Sequence, residues 1–210
     1  MDEKQIREIT RKVIENITNS NSAQIPVGVS GRHVHLCREH MDILFGKNVE
    51  LKFKKELMGG QFASDECVTI AGPKMRVMAH VRVLGPLRPF SQVEISKTDS
   101  FTLGISAPLR DSGDLRDAAA ITLIGPMGAV TLPHGCIIAR RHIHMSPADA
   151  ARFGVTDQAV VDVRFNNTRG GVLTNVLVRV DDSFTAEMHI DTDEANGLGI
   201  VNGDYGEVIT

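Results

Sequence analysis

The sequence predicts a mainly β protein built from two related halves, preceded by one short amphipathic helix. Three observations predict it. Short Val/Ile-rich runs are broken by Gly, Pro, Asn and Asp. An Arg-His-x-His segment occurs twice. Helical periodicity of apolar residues is clearest over residues 1–18.

The N-terminal helix comes first. Ile6, Ile9, Val13, Ile14 and Ile17 recur at helical spacing among Asp, Glu, Lys and Arg. Residues 18–24 then form a polar linker. The apolar stripe either packs back on the body or docks on another protein, and the long linker favours docking.

From Ile25 the texture changes. Strands are predicted at Ile25–Val29, Cys67–Ile70, Arg76–Leu84, Gln92–Ser96, Ala119–Ile124, Val160–Phe165, Val172–Val180 and Met188–Asp191. Such runs suit barrels or compact sheets. Only two further helices are predicted, Arg38–Phe45 and Pro147–Phe153. The second opens on Ser146-Pro147, a capping hydroxyl followed by a first-turn proline.

The repeat organises these elements. SGRHVHL (30–36) matches ARRHIHM (139–145), and VEISKTDSFTLGI (93–105) matches MHIDTDEANGLGI (188–200). The offsets are 109 and 95 residues, so the first half carries about 14 extra residues between its matching segments. Two β-rich halves paired about a pseudo-twofold axis are expected.

Composition excludes several classes. The 210-residue chain has a formal charge of -3, which does not suit wrapping nucleic acid or coating an anionic membrane. No apolar run reaches the ~20 residues of a membrane span, and no secretory signal is evident. Cys37, Cys67 and Cys136 are an odd set without CxxC spacing, which points to a reducing cytosol rather than a disulfide framework.

The histidines carry the chemistry. Each half holds one His-x-His, His33/His35 and His142/His144. On a strand, residues i and i+2 face the same side, so two imidazoles can converge on one cation. Aligning the second match places Glu94 opposite His189 in the repeat. Each half then offers three donors, the number seen in catalytic zinc sites that keep an open position. Zinc suits the set best, with cobalt, manganese and iron as alternatives.

Other polar groups read more plainly. His40 is expected at the surface, His80 in an alternating strand, and His134 in a Pro-His-Gly turn. Cys37 either faces the first metal or begins the following helix as a buried thiol. Arg88, in a proline-stiffened segment six residues before Glu94, could clamp a phosphate with two hydrogen bonds. Residues 110–114 form a polar turn whose Ser112 hydroxyl and backbone N–H groups suit an anion.

Taken together, VSGRHVHL, ARRHIHM, RPFSQVEIS, LGISAPLRDSGD and EMHIDTDEANG resemble the phosphate propanoyltransferases of the propanediol-utilisation type. The resemblance runs from Ile25 to the C-terminus. It implies two six-stranded β-barrels capped by short helices. The first strand is exchanged, so that 25–31 joins 140–210 in one barrel and 32–139 forms the other. It implies two zinc ions, one held by His33, His35 and Glu94, the other by His142, His144 and His189. Arg88 and Ser112 fall where the family contacts substrate, Arg88 in a catalytic role, and Gln61 and Phe62 where coenzyme A is touched. Residues 1–18 resemble the extension that targets such enzymes into bacterial microcompartments, where shell or core proteins would be partners. A homodimer is expected.

The activity so implied is transfer of a short acyl group, propanoyl above all, between coenzyme A and phosphate without an enzyme nucleophile. Two competing readings are a dinuclear zinc hydrolase, in which water replaces the thiol, and a non-catalytic module stabilised by its metals.

Overall fold

The computed structural model describes residues 23–57 and 59–209. The helix expected over residues 1–18 lies outside the described residues. In chain order the elements are β1 (Gln24–Ser30), β2 (His33–His35), α1 (Arg38–Phe45), β3 (Phe53–Glu56), β4 (Phe62–Ala71), β5 (Val77–Gly85) and β6 (Gln92–Glu94). There follow α2 (Lys97–Leu103), β7 (Leu109–Arg110), β8 (Ala119–Ile124), β9 (Ala129–Ala139), β10 (His142–Met145) and α3 (Pro147–Phe153). The last are β11 (Val160–Phe165), β12 (Gly171–Val180), β13 (Glu187–Asp191), α4 (Thr192–Leu198) and β14 (Tyr205–Ile209). None of these helices is long and apolar enough to cross a membrane.

The protein is mainly β and forms two closed six-stranded barrels. Two compact units divide the chain. One joins the segment ending at Gly28 to Arg141–Ile190 and to the residues from Ala195 onward; the other comprises Val29–Arg140 and Asp191–Glu194. In the first, the strands close in the order β1-β13-β10-β12-β11-β14. In the second, β4, β5, β2, β6, β9 and β8 form a ring, and β8 returns to β4. There β3 extends beyond β4, and β7 pairs with β9.

Period-two patterning decides which side chains face each interior. In the first barrel Ile143 and Met145 of β10, Val161 and Val163 of β11, and Met188 and Ile190 of β13 are buried. His142, His144 and His189 alternate with them on the outer face. In the second, Val34 of β2 and Val93 of β6 join Val68, Ile70, Val81 and Val83 in the core. Each such side chain contributes roughly 1.5–3 kcal/mol when fully buried. A one-residue slip of β2 or β10 would turn two imidazoles inward, so the core fixes the register on which the outer face depends.

Helices α1 and α3 coincide with the expected spans, whereas α2 and α4 were not expected. Both are seven residues long, as α3 is, but neither carries the first-turn proline that marked α3. Reciprocal caps hold them instead. Ser96 Oγ accepts from Asp99 N–H, and Asp99 Oδ2 accepts from Ser96 N–H. Asp191 and Glu194 exchange the same pair of bonds at the start of α4. Left-handed Gly104 and Gly199 (φ 69 and 64) follow the two helices, a conformation that glycine adopts without a Cβ penalty.

His134 corrects the expected turn, because it lies inside β9. Leu132 pairs with Ile121 and Cys136 with Ala119, so Pro133-His134-Gly135 bulges out of the β8–β9 ladder and the strand continues. His40 is also corrected. It is half-buried, and its Nδ1 lies 2.7 Å from Ser91 Oγ.

Candidate active site

In the second unit, His33 and Glu94 are direct partners across the antiparallel β2–β6 pair, and His35 faces Gln92. His33, His35 and Glu94 are 8 %, 2 % and 8 % exposed, so all three are nearly desolvated. One donor atom from each lies within 4.8 Å of the others, an arrangement that could hold a metal ion. His33 Nδ1 is 2.9 Å from Gly31 O, and its Nε2 lies 3.5 Å from Glu94 Oε2. Two ligands of a tetrahedral zinc, each ~2.0–2.1 Å from the ion, stand roughly 3.4 Å apart. His35 Nδ1 is buried without a hydrogen-bond partner. An unpaired, neutral ring nitrogen there fits a metal better than it fits a structural role.

The electrostatics agree. Burial, then the charges of His33 and Arg88, push His35 down to about 3, so its ring stays neutral. Burial of the Glu94 carboxyl favours its protonated form. His33, the Ser112 hydrogen bond, His35 and Arg88 together outweigh that effect and hold it below the ordinary carboxylate range.

A polar cage fixes the carboxylate. Ser112 Oγ donates to Glu94 Oε1 at 2.7 Å, and Gln92 Nε2 donates to the same oxygen at 2.6 Å. Gln92 Oε1 accepts from Gly113 N–H at 2.9 Å, which draws the 110–114 turn onto β6. Arg88 Nη1 reaches Ser112 Oγ at 3.5 Å, and Nη2 reaches Gln61 Oε1 at 3.3 Å. Its backbone N–H donates to Leu36 O at 2.9 Å, which pins the segment beside the end of β2. The sequence candidates Arg88, Ser112 and Gln61 therefore meet around Glu94.

Phe62 stands apart from this network. Its ring tilts against Phe53 at 5.6 Å and lies over Gly85, where an added Cβ would collide with it. Cys37 occupies the N-cap of α1, with its Sγ 3.5 Å from Ser91 Oγ. Gln92 was missed in the sequence. Its position two residues before Glu94 on one strand was the available signal.

In the first unit, His142 of β10 and His189 of β13 are direct partners across an antiparallel pair, and His144 faces Glu187. Ring centroids lie 4.6 Å apart for His142–His144, 5.2 Å for His142–His189 and 5.0 Å for His144–His189. Burial, then His142, His189 and Arg179, push His144 down to about 3. His144 Nδ1 and His189 Nε2 are buried without hydrogen-bond partners. Among the described residues, His33, His35 and Glu94 are the one donor group whose ligand atoms all lie within 4.8 Å of one another.

Comparison with known proteins identifies the family. A family model described as phosphate propanoyltransferase matches residues 26–201. The protein of that name from Lachnoclostridium phytofermentans is 51% identical over 100% of this chain and 99% of its own. Those from Rhodopseudomonas palustris and Thermotoga maritima are 52% and 50% identical, over 86% and 88% of this chain and 80% and 89% of theirs. Both donor sets fall inside the matched span, and the chain belongs to the phosphate propanoyltransferase family, a family of acyltransferases.

Proposed function

We propose that this protein interconverts a short acyl-CoA and phosphate with an acyl phosphate and coenzyme A, propanoyl being the acyl group in its relatives' names. The observation that carries the reading is the meeting of Arg88, Ser112 and Gln61 beside His33, His35 and Glu94. Zinc is the metal proposed for each donor set, His33/His35/Glu94 and His142/His144/His189. When bound, it supplies a Lewis acid and lowers the pKa of a thiol or an oxygen ligand.

The chain's own residues do the rest. Arg88 presents a planar fork with several N–H donors, which suits two oxygens of one phosphate. Ser112 Oγ and Gln61 Oε1 accept from that fork and set its plane before substrate arrives. In the direction of acyl phosphate, a phosphate oxygen attacks the thioester carbonyl, the C–S bond breaks, and coenzyme A leaves as a thiolate. Charge on the phosphate and on the carbonyl oxygen is balanced by the preorganised guanidinium. Gln92 and Ser112 hold the Glu94 carboxylate in place through their hydrogen bonds to Oε1. Gln61 and Phe62 are proposed to line the approach of coenzyme A.

Residues 1–18 are proposed as a docking helix for shell or core proteins of a bacterial microcompartment in the cytoplasm, and the assembly as a homodimer. Incubation with propanoyl-CoA and phosphate tests the central reading. Stoichiometric acyl phosphate and free thiol are expected. Free thiol with propanoate and no acyl phosphate would make it a hydrolase instead.

A further inference from the structure

The first unit places a carboxylate beside its imidazole cluster that the repeat did not assign. Glu187 lies two residues before His189 on β13, on the same outer face, and pairs with His144 across the ladder. Its Oε2 is 3.4 Å from His189 Nε2. That nitrogen is buried and accepts or donates no hydrogen bond. The two atoms therefore face a common gap without bonding each other. The separation matches the 3.5 Å between His33 Nε2 and Glu94 Oε2 in the other unit, and both equal the edge of a tetrahedral zinc shell, roughly 3.4 Å.

The barrel makes room for this side chain. Gly28 of β1 faces it, and a Cβ on Gly28 would stand 3.1 Å from Glu187 Oε1 and 3.2 Å from its Cδ. A larger residue at Gly28 would press on that carboxylate. Chemistry adds a reason for a carboxylate here. Three neutral imidazoles leave a divalent cation with its whole charge, whereas one carboxylate halves it, as Glu94 does in the first set. The repeat explains why the position was overlooked, because Glu187 aligns with Gln92 and His189 with Glu94. Each strand supplies one carboxylate, at rungs two residues apart.

We infer that Glu187 is a fourth protein ligand of the cation held by His142, His144 and His189, an inference that rests on the metal reading above. The first set keeps three donors and an open position. The second would then have four protein donors.

The test uses the purified full chain and zinc alone, with affinity read by chelator competition and metal content by mass spectrometry. Cobalt substitution reports the donor set by its visible spectrum. Wild type holding two metals, and His142→Ala holding one, establishes the site. Against that background Glu187→Gln is expected to weaken one zinc about 10- to 100-fold and to change the cobalt spectrum, with the other zinc unaltered. Gly28→Ala, which crowds the carboxylate without removing it, is expected to weaken the same zinc. Unchanged affinity and spectrum in Glu187→Gln overturns the inference while the metal reading stands. Wild type without a second metal overturns both.

Discussion

His33 and Glu94 stand opposite one another across β2 and β6, with Nε2 and Oε2 3.5 Å apart and both side chains almost sealed from solvent. A ring nitrogen and a carboxylate oxygen held that close, in low dielectric, are suited to sharing a cation. Glu94→Gln is expected to remove one zinc per chain and to lower turnover at least about 100-fold. His142→Ala should remove the other zinc. Metal analysis of each variant decides it, and two metals in either would break the division into two sets.

Arg88 gives a kinetic prediction. Arg88→Lys retains the positive charge but replaces the fork held between Ser112 and Gln61 with a point charge. The KM for phosphate is expected to rise about tenfold or more, with thermal stability within a degree or two of wild type. Initial rates at varied phosphate and fixed propanoyl-CoA measure it.

The neutral imidazoles give a pH prediction for the metal-free protein. His35 and His144 are each pushed down to about 3 in the fold, whereas an unfolded chain protonates them near 6.5. Between those values the unfolded state binds more protons, so stability falls as pH drops from about 6.5 toward about 3. Glu94 adds to the loss only at lower pH, because its folded value lies below the ordinary range. Urea midpoints after chelation should fall between pH 7 and pH 5. A flat profile there would contradict the buried neutral state, and a His35→Asn, His144→Asn variant should flatten it.

Asp99 gives a stability prediction. Arg32, just before His33, donates to Asp99 through Nε at 2.9 Å and Nη2 at 2.7 Å, and Asp99 also caps α2. Asp99→Ala loses a cap and a bidentate charged pair in which the carboxylate is buried. A cap is typically worth ~1 kcal/mol and a hydrogen bond to a charged group ~1.5–3. A loss of about 2–4 kcal/mol in urea unfolding is expected, with both metals retained at saturating zinc.

Much of this architecture could be read from the sequence for physical reasons. The His-x-His segments were visible because a strand places i and i+2 on one face, and their partners because the same rung is occupied in both halves. Helices α1 and α3 were visible through apolar spacing and, for α3, through Ser146-Pro147. Helices α2 and α4 were not: α3 is equally short, at seven residues, but only it opens on a Ser-Pro pair. Their caps, Ser96 with Asp99 and Asp191 with Glu194, were the only local trace. Strand β9 was hidden by Pro133 and Gly135, which mark a bulge here as readily as a turn. Gln92 and Glu187 were hidden by the alignment itself, which drew attention to the residues two positions further on.

The closing of the first barrel by β1 and β14, with Gln24 beside Glu207, bears on how the nascent chain matures. A strand made early must wait for one made late, while β10 to β13 are already available. Such distant pairing slows folding and leaves an apolar edge open during synthesis. A ribosome stalled before Tyr205 would therefore hold a chain whose second barrel can close and whose first cannot.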